Sequence, residues 1–230
     1  MSEAFLNKSA VADRAGDLLP EYRRIIADIP PEAGFGGIWE SEMLLFYTTV
    51  KPLGPKQILE SGRARGKSTL ILARCFPESR IVSVEYDRQS ENATAAEMKL
   101  SNERNVELLY GDSREILPQR LQNGDAVLID GPKDFRALKL TVDLLRTGKP
   151  CIVFVHDFPL NSPPRKFVER YFPNAFFGDD PVFRRFQSLD TERDPRASVQ
   201  RRYGILVCLP PPLPSPYWKL RFRLLTSGGV

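Results

Sequence analysis

Apolar positions along this chain follow two rhythms. From Val11 to Ile29 they recur at helical spacing, and Pro30-Pro31 stops the run. Gly34, Gly36 and Gly37 mark a loop. Trp39 to Val50 reads as a second helix, ended by Pro52, Gly54 and Pro55. The rhythm then changes. Short apolar or β-branched runs fall at Gln57–Glu60, Arg80–Glu85, Val106–Tyr110, Ala126–Asp130, Cys151–His156 and Tyr203–Leu209. Between the early ones lie segments of helical spacing, Ser68–Phe76, Ser90–Asn102, Ser113–Leu121 and Asp134–Thr147, the last followed by a capping Gly148. Apolar strands alternating with amphipathic helices predict a parallel sheet covered on both faces. Right-handed crossovers make it an open, doubly wound α/β fold.

After Asp157 the pattern loosens. Pro159, Pro163, Pro164, Pro173 and Pro181 punctuate it, and Asp190 to Arg202 reads as a charged, mobile loop. The tail is proline-rich, then alternates Lys219, Arg221 and Arg223 with Leu220, Phe222 and Leu224. That alternation fits an edge strand or an extended arm that offers a homo-oligomer contact; a loosely packed tail fits equally. The expected organisation is an N-terminal helical cap over 1–52, a ligand-binding domain over 53–210, and the tail over 211–230.

Composition narrows the class. Of 230 residues, 42% are hydrophobic and 27% charged, which excludes wholesale disorder. No apolar run approaches the ~18 residues that span a bilayer. Charges run through the first residues, so a cytoplasmic location is expected. Cys75, Cys151 and Cys208 are odd in number and widely spaced, as in buried thiols of a reducing compartment. The net charge of +4 is spread along the chain, which disfavours nucleic acid without excluding it.

Open α/β sheets bind ligands beyond the carboxyl ends of their strands. The first run ends in Glu60-Ser61-Gly62-Arg63-Ala64-Arg65-Gly66-Lys67-Ser68. A P-loop needs four residues between its glycines, and here there are three between Gly62 and Gly66. The G-x-G-x-x-G dinucleotide pattern fails at Ala64. An acid at the strand end repels phosphates and suits a ligand with a positive amino group. The second run ends at Glu85, placed to accept two ribose hydroxyls or to cap a helix. The third ends in Gly111-Asp112-Ser113, able to meet a base edge or to cap the next helix. The fourth and fifth end in Asp130-Gly131-Pro132-Lys133 and His156-Asp157-Phe158.

This set resembles the class I S-adenosylmethionine (SAM)-dependent methyltransferases over about Leu53 to Phe158. It looks most similar to small-molecule O-methyltransferases of the catechol and caffeoyl-CoA type and to the sugar O-methyltransferase and cephalosporin-hydroxylase group. The resemblance implies a Rossmann-like, mostly parallel seven-stranded sheet and a small-molecule hydroxyl as acceptor. It assigns cofactor contacts to Glu60, Gly62, Gly66, Ser68, Glu85, Asp112, Ser113 and Asp130. It makes Asp130 and Asp157 ligands of a divalent cation such as Mg2+, Lys133 a base, and His156 a base or ligand. The family pattern carries a second ligand after the fifth-strand acid, where this chain has Phe158. The alternatives are the same scaffold acting on nucleic acid or protein, the same scaffold without methyl transfer, and a P-loop-like NTPase.

Overall fold

The computed structural model describes residues 6–30, 37–194, 205–214, 220 and 223–224. Two helices come first, α1 (Lys8–Ile26) and α2 (Glu40–Val50). Strands and helices then alternate: β1 (Gln57–Ser61), α3 (Lys67–Cys75), β2 (Arg80–Glu85), α4 (Glu91–Leu100), β3 (Val106–Tyr110), α5 (Ser113–Arg120), β4 (Ala126–Ile129), α6 (Asp134–Arg146) and β5 (Ile152–Val155). The chain continues through α7 (Pro163–Tyr171), β6 (Phe176–Phe177), α8 (Ser188–Arg193) and β7 (Val207–Leu209).

The seven strands form one sheet in the order β3-β2-β1-β4-β5-β7-β6. The first five are parallel, and β7 runs antiparallel between β5 and β6. This is the expected mostly parallel, doubly wound sheet. Its winding reverses between β1 and β4, so the crevice above their carboxyl ends is where a ligand fits.

Period-two alternation divides the core into two layers. Ile58, Leu128 and Phe154 face a cluster built with α1, α2 and α3. Leu59, Val127, Ile129, Val153 and Val155 face the other, built with α5, α6 and α7. The N-terminal helices therefore share the sheet's own core: Phe46 of α2 stacks on Phe154 with centroids 4.9 Å apart. Truncating such a ring costs about 3–5 kcal/mol.

Three expectations change beyond β5. The prolines at 163 and 164 begin a helix instead of breaking one. Proline is tolerated in the first turn, where its missing N–H has no partner anyway, and Ser162 caps α7 by accepting from Arg165 N. Asp190 belongs to no loose loop. It is buried in α8 and accepts from Ser41 N at 2.8 Å and Ser41 Oγ at 2.7 Å, so it caps α2 from a distance. In the tail, Leu220, Arg223 and Leu224 are helical, and Leu220 and Leu224 are buried at i, i+4 spacing. The rest of the proposed arm, the glycine loop at 34 and 36 and most of the basic stretch 193–202 lie outside the described residues.

Candidate active site

A cavity of about 360 Å³ opens over the reversal point. It is lined by Gly62 just after β1, Glu85 and Tyr86 at the end of β2, Asp112 and Ser113 where β3 leads into α5, and Lys133 beyond β4. Two successive strands thus end in acids that face one space. Glu85 is tied in place: its carboxylate accepts from Ala64 N at 2.8 Å and from Tyr86 N at 2.9 Å. The first of these bonds fastens the β1 loop to β2, with Ala64 in the left-handed region at φ 45°. Asp112 both faces the cavity and caps α5, accepting from Arg114 N at 2.8 Å. The Arg114 guanidinium beside it holds its carboxyl below the usual range, aided by the backbone bond. Ser113 Oγ turns to the Gly131 carbonyl at 3.3 Å.

Glycine at 62 is required by close approach. Its φ is +79°, and a Cβ there would stand 2.6 Å from Gly131 N. The β1 and β4 loops touch backbone to backbone, and a side chain at 62 would part them.

Four of the assigned cofactor residues, Glu60, Gly66, Ser68 and Asp130, do not line this cavity. Glu60 is wholly buried on the α3 face, where one carboxylate oxygen accepts from Thr69 Oγ1 at 2.5 Å and Ser83 Oγ at 2.6 Å. Alternation explains this: Glu60 shares its face with Ile58, not with the strand end. Its other oxygen, Oε1, has no partner. Burial raises its carboxyl pKa against the hydroxyl hydrogen bonds of Ser68, Ser83 and Thr69. Gly66 packs on α4, its Cβ position 3.2 Å from Ala96 Cβ, and Ser68 is buried beside Glu60. Lys67 reaches Glu40 at 2.9 Å instead of the loop, so a triphosphate would lack its lysine here.

Sequence reading also missed Arg63. Its guanidinium is buried, donates to the Ser83 and Leu109 carbonyls at 2.9 and 3.1 Å, and covers the Tyr110 ring at 4.5 Å. It binds the β1 loop to the ends of β2 and β3. No spacing rule separates such an arginine from a solvated one.

Beside the cavity, neighbouring β4 and β5 bring Asp130, His156 and Asp157 together, their donor atoms within 4.8 Å of one another. Lys133 Nζ lies 2.6 Å from Asp130 Oδ1 and 2.5 Å from Asp157 Oδ2. His156 is buried between acids: Nδ1 is 2.9 Å from Asp130 Oδ1, and Nε2 is 3.2 Å from Glu42 Oε2. Glu42 also accepts from Leu206 N at 2.7 Å and Trp39 N at 3.0 Å, which ties α2 to the sheet end. The sequence signal for it was an acid inside an otherwise buried helix.

The charges set the chemistry. Burial alone would lower the His156 pKa, but Asp130 and Glu42 override it and push it well above the ordinary value. Burial likewise opposes the Lys133 charge, yet Asp130 and Asp157 win and raise its pKa. Burial would raise Asp130, and His156 and Lys133 pull it below the usual range instead. The cluster is therefore two cations held among three acids. The surrounding acids favour the protonated forms of Lys133 and His156, the two residues expected to act as bases. Asp157 is the most accessible acid of the group, its side chain 33% accessible, with its backbone at φ 67°. A non-glycine residue in that region stores about 1–3 kcal/mol of strain.

The donor set does not fit a divalent cation as folded. Mg2+ takes six oxygens at about 2.0–2.1 Å. Lys133 fills the position between the two carboxylates, and both His156 nitrogens are engaged. Phe158 is buried in the core layer and supplies no ligand.

Residues 59–158 match a family model described as a methyltransferase domain. This segment is therefore similar to a methyltransferase domain. The match runs from β1 to the residue after Asp157 and so contains the whole cavity and most of the charged cluster. The mouse protein named transmembrane O-methyltransferase homolog is 34% identical over 88 residues, 35% of this chain and 34% of that one. The chain thus aligns with about a third of the length of the curated relatives it matches. By fold, the chain is similar to precorrin-6y C5,15-methyltransferase from Geobacter metallireducens, with TM-score 0.51, 17% identity, 65% of this chain covered and 79% of that one. It is also similar to the O-methyltransferase TomG from Streptomyces achromogenes in complex with SAM, with TM-score 0.48, 19% identity and coverage of 90% and 91%. Residues 59–158 therefore resemble methyltransferases in sequence, and the chain has the methyltransferase Rossmann-like fold.

Proposed function

We propose that this protein transfers the methyl group of SAM to a hydroxyl of a small molecule. The observation that carries the reading is the cavity over the β1–β4 reversal, with acids at two strand ends and the charged cluster at its side. Acids and a backbone cradle suit an adenosyl group that carries no phosphate. SAM, when bound, supplies an electrophilic methyl group.

The chain's residues then divide the work. Glu85 accepts hydrogen bonds from the ribose hydroxyls. Asp112 and Ser113 stand at the base end, and Gly62 lets the backbone approach the amino-acid end. Glu60 braces that loop from behind through Thr69 and Ser83. Lys133 lines the cavity and directs positive charge at the acceptor oxygen, stabilising negative charge as its proton leaves. Asp157, the most accessible acid of the group, accepts that proton and passes it to solvent. Preorganisation by Asp130, His156 and Glu42 keeps these groups from spending energy on reorientation during transfer.

Calorimetric titration with S-adenosylhomocysteine tests the cofactor half. Hydrogen bonds to a charged group contribute about 1.5–3 kcal/mol, so Glu85→Ala should weaken binding roughly ten- to hundredfold. Glu85→Gln, which can still hold Ala64 N, separates ribose contact from loop support and should also weaken it. Unchanged affinity in both variants would remove Glu85 from the cofactor site. Transfer of a labelled methyl group to a panel of phenols, catechols and sugars tests the acceptor half; a panel without product in which nucleic acid or protein is labelled instead would reassign the acceptor.

A further inference from the structure

We propose that the acceptor end of this site uses the Lys133 ammonium where a divalent cation would otherwise sit. The inference rests on the methyltransferase reading and specifies its acceptor half. Asp130 and Asp157 come from adjacent parallel strand ends, and two carboxylates this close need a cation between them. Lys133 Nζ is already there, at 2.6 Å from one and 2.5 Å from the other. The chain delivers it: the Gly131-Pro132 turn sets Lys133 at the N-cap of α6, three residues beyond Asp130. A tethered ammonium meets its partners at every metal concentration.

The remaining donors are also committed. A ring nitrogen hydrogen-bonded to a carboxylate carries the proton and has no free electron pair for a metal. Both nitrogens of His156 are so placed, one against Asp130 and one against Glu42. The residue after Asp157 is Phe158, whose side chain is fully buried and whose N–H donates to the Ile205 carbonyl. A divalent ion would find only the two carboxylates of Asp130 and Asp157, each already paired with Lys133 through one oxygen. To enter, it would have to drive a half-buried ammonium out against its two partners. Lys133 lines the cavity, so the same charge that replaces the ion faces the acceptor oxygen. Lys133 is in this account a catalytic residue, and Asp130 and His156 position it.

The test titrates Mn2+ into chelator-stripped protein by electron paramagnetic resonance and calorimetry, with S-adenosylhomocysteine binding measured in the same samples. The expected result is no saturable Mn2+ site in the unmodified protein and methyl transfer undiminished by EDTA. Lys133→Ala, which leaves both carboxylates and removes the ammonium, should gain a saturable Mn2+ signal that adding Asp157→Asn removes. A saturable signal in the unmodified protein that Asp157→Asn abolishes overturns the proposal. So does a folded Lys133→Ala protein that still takes up no Mn2+. Should that variant not fold, the Mn2+ titration and EDTA response of the unmodified protein decide. Failure of S-adenosylhomocysteine to bind counts against the cofactor reading alone, because the Mn2+ titration does not require it.

Discussion

Placing one methyl group at position 62 separates the contribution of close approach from that of backbone conformation. In Gly62→Ala the new Cβ would stand 2.6 Å from Gly131 N, 2.8 Å from the Asp130 carbonyl carbon and 3.0 Å from its oxygen. These are backbone atoms, so no side chain can swing away. Relief requires β1 and β4 to part at their ends, where Asp130 N donates to the Ser61 carbonyl at 2.8 Å. A left-handed alanine costs about 1–2 kcal/mol, overpacking about 1–3, and a weakened hydrogen bond about 1, so the loss should be roughly 3–6 kcal/mol. Gly148→Ala is the control. Its φ of +70° carries the same conformational penalty, but nothing lies within 4 Å of its Cβ position. It should lose only about 1–2 kcal/mol. Urea unfolding of both variants gives the comparison, and S-adenosylhomocysteine affinity should fall in Gly62→Ala and hold in Gly148→Ala. Equal destabilisation by the two substitutions would refute the close-approach argument.

Removing Glu42 should show that the N-terminal helices hold the site together. Glu42→Ala leaves buried His156 and Leu206 N without their acceptor, and breaking a buried pair this way costs about 3–5 kcal/mol. A loss under ~1 kcal/mol in urea unfolding would mean that the acid is not an anchor. Glu60 predicts a pH dependence. Its folded pKa lies above the unfolded value, so the folded state binds the extra proton, and its penalty is absent at low pH and appears as pH rises through the folded pKa. The stability of Glu60→Gln relative to the unmodified protein should therefore increase with pH, measured as the difference in urea midpoints without cofactor. A difference that shrinks as pH rises would contradict a raised pKa.

The repeating part of the fold was legible from local pattern. Arg80–Glu85 and Val106–Tyr110 have the bounds that their apolar runs marked, and α6 lies where the spacing and Gly148 put it. Beyond Asp157 local rules failed for a definite reason. Pro163 begins a helix because of where it stands in the turn, and Asp190 is buried because Ser41, 149 positions away, needs an acceptor. Neither fact is written nearby in the chain. The site was legible to the same extent. Strand-end acids were found because a parallel sheet gathers its carboxyl ends on one edge.

Which of those acids faces the cavity is a different kind of question, and for Glu60 pleating answers it. Glu85 and Asp112 turn to the cavity, whereas Glu60, one residue short of its strand's end, turns inward to Thr69 and Ser83. Protonation is likewise a property of neighbours. Lys133 and His156 read alone are candidate bases, and acids arriving from β4, β5 and α2 make both of them cations. The order of residue types is enough to specify a wound sheet, because alternation and helical spacing are local. Facing and charge depend on groups far apart in the chain, whose desolvation and fields act only once packing brings them within a few ångströms.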